Sequence, residues 1–141
     1  VAVHFSKCCS PVPGDKIVGY VTRGRGVSIH RSDCINVLGM TEEEKERLIE
    51  AEWQKQDNDQ DAMYVTDIKI YAIDRRNIVF DVSKVFTEML INVTSMTLRT
   101  NRQGKATIHV AFEIRGVDQL NKVIAKIRNI DDIIDIERTM G

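Results

Sequence analysis

The chain has 141 residues, 43% of them hydrophobic and 29% charged, with a net charge of -1, which suits one ordinary domain or two small ones and excludes a disordered or fibrous polypeptide. No apolar run approaches the roughly 18 residues of a membrane-spanning helix, and no basic, apolar, small-residue signature marks a secretory signal, so the expected location is cytoplasmic with no membrane partner. The charge is uneven: residues 1 to 40 carry five basic groups against two acids, residues 41 to 61 three against nine, and residues 62 to 141 twelve against ten, which excludes a uniformly basic nucleic-acid binder but leaves room for a basic patch near the N-terminus.

The chain opens at Val1 on an apolar-alternating segment, as a piece of a longer polypeptide would. Ile17 to Thr22 and Val27 to Arg31 are short apolar-rich runs separated by Arg23-Gly24-Arg25-Gly26, a spacing and glycine content that predict a hairpin. Thr41 with Glu44 forms a capping-box pattern ahead of a short helix over 42–48, whose acids lie near the positive end of the helix dipole. Leu48 to Trp53 then returns as a strand. The polar, acidic stretch from Gln54 to Ala62 reads as a solvated linker, giving a first unit at 1–53 and a second at 63–141.

The second unit is more strongly periodic. Thr66, Ile68, Ile70 and Ala72 alternate with polar residues, the period of a strand with one buried face. Ile78, Val82, Val85, Phe86 and Met89 share one face of a helix from about Asn77 to Leu90. Thr94, Met96 and Leu98 alternate again, Asn101 to Gly104 supplies a turn, and Ile108, Val110, Phe112 and Ile114 form the longest alternating strand, so these two strands make a hairpin. Val117, Leu120, Ile124 and Ile127 mark a second amphipathic helix ended by Asn129, and Ile134 with Ile136 lies on a closing strand. The order βαββαβ predicts an α+β fold in which two helices cover one face of a four-stranded antiparallel sheet, the ferredoxin-like arrangement. The other face is expected to carry Lys69, Tyr71, Val93, Ser95, Thr97, Arg99 and His109. That mixed surface could meet the first unit or a second copy of the chain.

Five residues have metal-ligand chemistry. His4 and Cys8 stand four apart, as do His30 and Cys34, and Cys9 adds a further sulfur. Four of the five would suffice for a tetrahedral zinc, and a metal would help a unit with so thin a core. Against this, Cys8 and Cys9 are adjacent, and neighbouring side chains on a strand point opposite ways, which favours reduced cysteines without a metal. Lys7, Lys16, Arg23, Arg25 and Arg31 could present a basic face around the hairpin, with His30 as a stacking plane for unpaired bases. A cysteine nucleophile at Cys8 or Cys9, with His4 or His30 as base, is the enzymatic alternative, and it lacks an orienting carboxylate or oxyanion-hole pattern.

Residues 4–37, HFSKCCSPVPGDKIVGYVTRGRGVSIHRSDCINV, closely resemble the cysteine-rich module of RelA/SpoT proteins, described as a zinc-finger or ribosome-intersubunit domain. Asp74-Arg75-Arg76-Asn77-Ile78, followed by the helix and Ile91-Asn92-Val93, resembles the opening of an ACT domain, the small-molecule-sensing module that ends many of these proteins. The resemblance implies a parent GTP pyrophosphokinase that makes (p)ppGpp in the stringent response, and that would also hydrolyse it if bifunctional, through upstream catalytic domains. The present chain would be non-catalytic and regulatory, docking on large-subunit ribosomal RNA near the A site. The ACT resemblance implies a branched-chain amino acid at Asn77, Ile78 and Asn92 between the two protomers of a homodimer. One departure bears on that site: the pattern usually has glycine where this chain has Asn77, and glycine lets a backbone approach a ligand closely.

Overall fold

The computed structural model describes residues 2–54 and 62–139, so most of the acidic stretch read as a linker lies outside the described residues. The elements are β1 (Val3–Phe5), β2 (Ile17–Val21), β3 (Val27–Arg31), α1 (Ile35–Leu38), α2 (Glu42–Lys45), β4 (Leu48–Glu50), β5 (Tyr64–Ile73), α3 (Ile78–Glu88), β6 (Val93–Thr100), β7 (Lys105–Ile114), α4 (Val117–Arg128) and β8 (Ile133–Arg138). They build two four-stranded sheets, ordered β1-β3-β2-β4 and β6-β7-β5-β8.

In the first sheet the expected hairpin forms, β2 running antiparallel to β3 with Val21 opposite Val27. Gly24 and Gly26, with φ of 81° and 80°, take the left-handed conformations that the tight connection demands. The capping box is present, the Glu44 N–H donating to Thr41 Oγ1 at 3.2 Å and the Thr41 N–H to Glu44 Oε1 at 3.1 Å, but the helix it starts ends at Lys45. The strand after it is likewise shorter, Leu48–Glu50. The apolar-alternating opening forms β1, which lies parallel to β3.

In the second sheet the order places β5 and β7 at the centre, each flanked by one edge strand, with all pairings antiparallel. This is the ferredoxin-like arrangement, and the alternation of β7 is realised in full: Ala106, Ile108, Val110, Phe112 and Ile114 are all buried. All but Ala106 pack with Ile68 and Ile70 of β5 against Ile78, Val82 and Phe86 of α3 and Leu120, Val123 and Ile127 of α4. Phe86 and Phe112 meet with ring centroids 4.9 Å apart. Val93 departs from its expected face. A register shift between Val93 and Ser95 sets Val93 opposite Phe112, and Val93 packs against the core; an extra residue in one strand reverses the alternation on either side of it.

The two units are joined by more than chain continuity. Val12 is fully buried and belongs to the core of the second unit. The Pro13 carbonyl accepts the Val117 N–H at 2.8 Å, satisfying one of the donors left open at the start of α4. Phe5, Trp53 and Tyr64 form a ring trio, with all three centroid separations between 5.4 and 5.6 Å.

Candidate metal centre

The chain brings four of the five expected donors together. Cys8 and Cys9 sit in a tight turn after β1, closed by a Ser10 N–H to Ser6 carbonyl bond of 3.0 Å. His30 lies on β3 and Cys34 caps α1. Because the two adjacent cysteines occupy a turn and not a strand, both sulfurs face the same point, 3.9 Å apart. Neighbouring side chains in such a turn are not forced to opposite sides, as they are on a pleated strand. Cys8 Sγ stands 3.5 Å from Cys34 Sγ and 3.4 Å from His30 Nδ1, and Cys9 Sγ is 3.9 Å from His30 Nδ1. All four donor atoms lie within 4.8 Å of one another. His4 is exposed on β1 and stands outside this group.

The separations of 3.4 to 3.9 Å are close to those of a tetrahedral site. Sulfurs at about 2.3 Å and an imidazole nitrogen at about 2.0–2.1 Å from zinc stand about 3.8 Å apart for S–S pairs and about 3.6 Å for S–N pairs. The outer contacts suit it as well. His30 Nε2 faces the buried hydroxyl of Ser28 at 3.2 Å, a partner that can accept the Nε2–H of the tautomer whose lone pair on Nδ1 points toward the sulfurs. The Arg31 N–H donates to Cys9 Sγ at 3.3 Å, and the Ser6 hydroxyl lies 3.1 Å from Cys8 Sγ.

Electrostatics divide the thiols. Burial pushes the Cys9 thiol up to about 12, against the opposing Arg31 N–H. Cys8 is held below its ordinary value, because hydrogen bonds involving Ser6, Asn36, Cys34 and Cys9 together outweigh the raising effect of burial. Burial, with His4 nearby, lowers His30 below its ordinary value and favours the neutral imidazole a metal needs. As a nucleophile–base pair the cluster has a thiol and an imidazole in contact, but the ring's outer nitrogen faces Ser28 where a triad would have a carboxylate.

The residues expected to form a basic face divide into two groups. Lys7, Lys16, Arg23 and Arg25 are exposed, the two arginines at the tip of the β2–β3 hairpin. Arg31 and His30 are buried. Arg31 forks onto Asp33 with two contacts of 2.9 Å and donates to the carbonyls of Cys9 and Thr139, both at 3.3 Å. Its guanidinium is an interior brace, and His30 offers no face for stacking.

In the second unit, Asn77 is exposed at the start of α3 with φ 66°, so it adopts the left-handed backbone that glycine would supply. Asn92 is exposed, whereas Ile78 is buried in the core. Beside this loop a crevice of about 320 Å³ is lined by Arg75, Asp81, Lys84 and Ile130 among others. Arg75 spans it, bonding Asp81, Asp132 and the Asp131 carbonyl at 2.9 to 3.0 Å.

The fold and these sites define the class: the chain belongs to the ACT-domain family, residues 60–138 matching the ACT domain and residues 1–54 the RelA/SpoT RIS domain. Among curated proteins it resembles the GTP pyrophosphokinase of Streptomyces coelicolor, with 38% identity over 98% of this chain and 16% of that protein. The GTP pyrophosphokinase of Escherichia coli K12 is 33% identical over 98% of this chain and 18% of its own length. The chain thus spans less than a fifth of these relatives, corresponding to the C-terminal part of RelA/SpoT-type proteins. The crystal structure of the ACT domain from GTP pyrophosphokinase of Chlorobium tepidum shares the fold, with a TM-score of 0.50 and 18% identity over 55% of this chain and 99% of that one. No helix among the described residues is long and apolar enough to cross a membrane.

Proposed function

We propose that this chain is the non-catalytic, regulatory end of a cytoplasmic (p)ppGpp synthetase/hydrolase of the GTP pyrophosphokinase type. In this reading it docks on large-subunit ribosomal RNA near the A site and passes the signal to catalytic domains upstream. The observation that carries it is the match of residues 1–54 to the RIS domain, over a unit whose hairpin tip exposes Arg23 and Arg25. Exposed guanidinium groups with Lys7 and Lys16 are suited to phosphate oxygens, which give affinity and register and no sequence reading. Zinc held by Cys8, Cys9, His30 and Cys34 would be structural, fixing the turn after β1 against β3 and α1.

Two measurements test the reading. Ribosome co-sedimentation of the Arg23→Ala/Arg25→Ala double variant should show weaker binding and a shallower dependence on salt, and an unchanged salt slope would count against these arginines. Native mass spectrometry should show the chain carrying one zinc, and a metal-free mass after purification without chelators would overturn that part.

A homodimer is the second reading, favoured by β6, an eight-residue edge strand that pairs only with β7 among the described residues. A branched-chain amino acid at Asn77, Ile78 and Asn92 finds less support, because Ile78 faces the core and Arg75 is already paired across the adjoining crevice. Light scattering decides the first, and calorimetry with valine or isoleucine the second.

A further inference from the structure

The four-donor cluster and the second unit share one short piece of chain. Cys8 and Cys9 contribute two donors, and the residues that follow at once, Ser10 to Asp15, are the ones seated on the ACT unit. Val12 is fully buried in that unit's core. The Pro13 carbonyl caps α4 through the Val117 N–H at 2.8 Å. Gly116 fits so closely beneath it that an added Cβ would stand 2.8 Å from the Pro13 oxygen. The Val12 N–H donates to Asp15 Oδ2 at 2.8 Å, which fixes the loop's own shape.

Strand β8 grips the same loop from the other side. Arg138 forks onto both oxygens of Asp15 at 2.8 and 3.0 Å and donates to the Ser10 carbonyl at 3.3 Å. The pair is largely shielded, the two side chains being only 16% and 10% exposed. One residue further on, the Thr139 carbonyl accepts from Arg31, whose own N–H donates to Cys9 Sγ. The last strand of the ACT unit therefore touches the backbone of the cysteine turn and the brace behind it.

We propose that Arg138 is a positioning residue for the metal centre, and that metal occupancy and docking of the ACT unit are thermodynamically linked through the Ser10–Asp15 loop. This rests on the zinc reading of the cluster. Zinc confines the turn at Cys8 and Cys9, a confined turn presents Ser10 to Asp15 in the shape that Arg138 and α4 accept, and the reverse holds with the same factor because linkage is reciprocal. Arg138 touches no donor atom; it acts through the Ser10 carbonyl and Asp15, in the way outer partners of a metal site hold its ligands in place.

The test uses the whole 141-residue chain and zinc alone as the probe. Zinc affinity is measured by competition with a chromophoric chelator for the wild type, Arg138→Ala, Arg138→Lys and a control, Arg99→Ala, on the exposed edge strand β6. Arg138→Ala should bind zinc about tenfold more weakly, as disruption of outer-shell partners does, and Arg138→Lys, which keeps the charge but not the fork, should fall between it and the wild type. The control should match the wild type. In parallel, removal of zinc from the wild type should speed hydrogen exchange at the Val117 amide while central β7 amides stay protected. Arg138→Lys covers the case in which Arg138→Ala fails to fold. Folded Arg138 variants with wild-type zinc affinity, or a Val117 amide indifferent to zinc, would overturn the linkage and leave the zinc reading standing. A wild type that takes up no zinc would instead overturn the zinc reading, and the linkage with it.

Discussion

The indole of Trp53 lies on the ring of Phe5, centroids 5.4 Å apart and planes 16° from parallel, while its Nε1–H donates to the Asp15 carbonyl at 3.0 Å. Tyr64 meets both rings edge-on, at 81° and 85°. Trp53 is the chain's single tryptophan, so its fluorescence reports on the seam between the two units without labelling. Phe5→Ala should shift Trp53 emission to the red and lower stability by about 0.5–1.5 kcal/mol beyond the lost area, the worth of an aromatic pair. Emission spectra and urea unfolding check both, and an unshifted spectrum would mean that the stack does not shield the indole.

Gly116 lies where the Pro13 carbonyl meets α4, and the atom that an added Cβ would strike is backbone, at 2.8 Å. Its φ of 176° is open to any residue, so the effect of Gly116→Ala is one of space alone. Overpacking of this kind typically costs about 1–3 kcal/mol. Thermal unfolding should show that loss, together with faster exchange at the Val117 amide. A fully stable variant would show that the loop yields freely.

Asn77 holds φ at 66°, a conformation in which most L-residues lose roughly 1–2 kcal/mol and asparagine less. Asn77→Gly should leave the melting temperature nearly unchanged, while Asn77→Val should lower it by an amount corresponding to about 1–2 kcal/mol. Equal melting temperatures for the two variants would show that the left-handed turn imposes no demand on this position.

Tyr71 gives a pH-dependent prediction. Its hydroxyl donates to Glu137 Oε1 at 2.5 Å, and that bond raises the phenol above its ordinary value, with burial and the charges of Glu137 and Asp135 adding to it. A group raised on folding contributes stability that is fully present below its unfolded pKa, about 10, and is lost as pH rises through the folded value. The stability difference between wild type and Tyr71→Phe should therefore be constant through neutral pH and shrink above about pH 10. A difference that grows with alkali would reverse the assignment.

Legibility followed the physics of each segment. Strands β5 and β7 and both long helices were readable because a half-buried element repeats its burial along the chain, and ten residues of β7 provide enough repeats to be unambiguous. Strand β1 has three residues, all exposed, and the short apolar alternation at the chain's start does not reveal its parallel, long-range pairing with β3. Val93 takes the face opposite to the one its alternation predicts, because a bulge cannot be seen in an alternation it interrupts. At the candidate site, the donor types were legible but their geometry was not: whether Cys8 and Cys9 diverge or converge depends on a turn set by the Ser6 carbonyl. From sequence Arg31 reads as a surface cation, because arginine is seldom fully buried. The one local signal against that reading was Asp33 two residues on, the partner that permits the burial. Val12 stands between two prolines, where no alternation can mark it, and it is core.

The rings of Trp53 and Tyr64 are 5.6 Å apart, although ten residues lie between them in the chain. The chain positions on either side of that segment are thus fastened to each other through their rings. The entropy of closing such a loop grows only with the logarithm of its length, about 0.6 kcal/mol per doubling. Its length and composition can therefore drift, or accept an inserted tag or fluorophore, while the seam beneath keeps its geometry. For engineering, this is the position at which cargo can be added to the chain at the least expense to the arrangement of its two units.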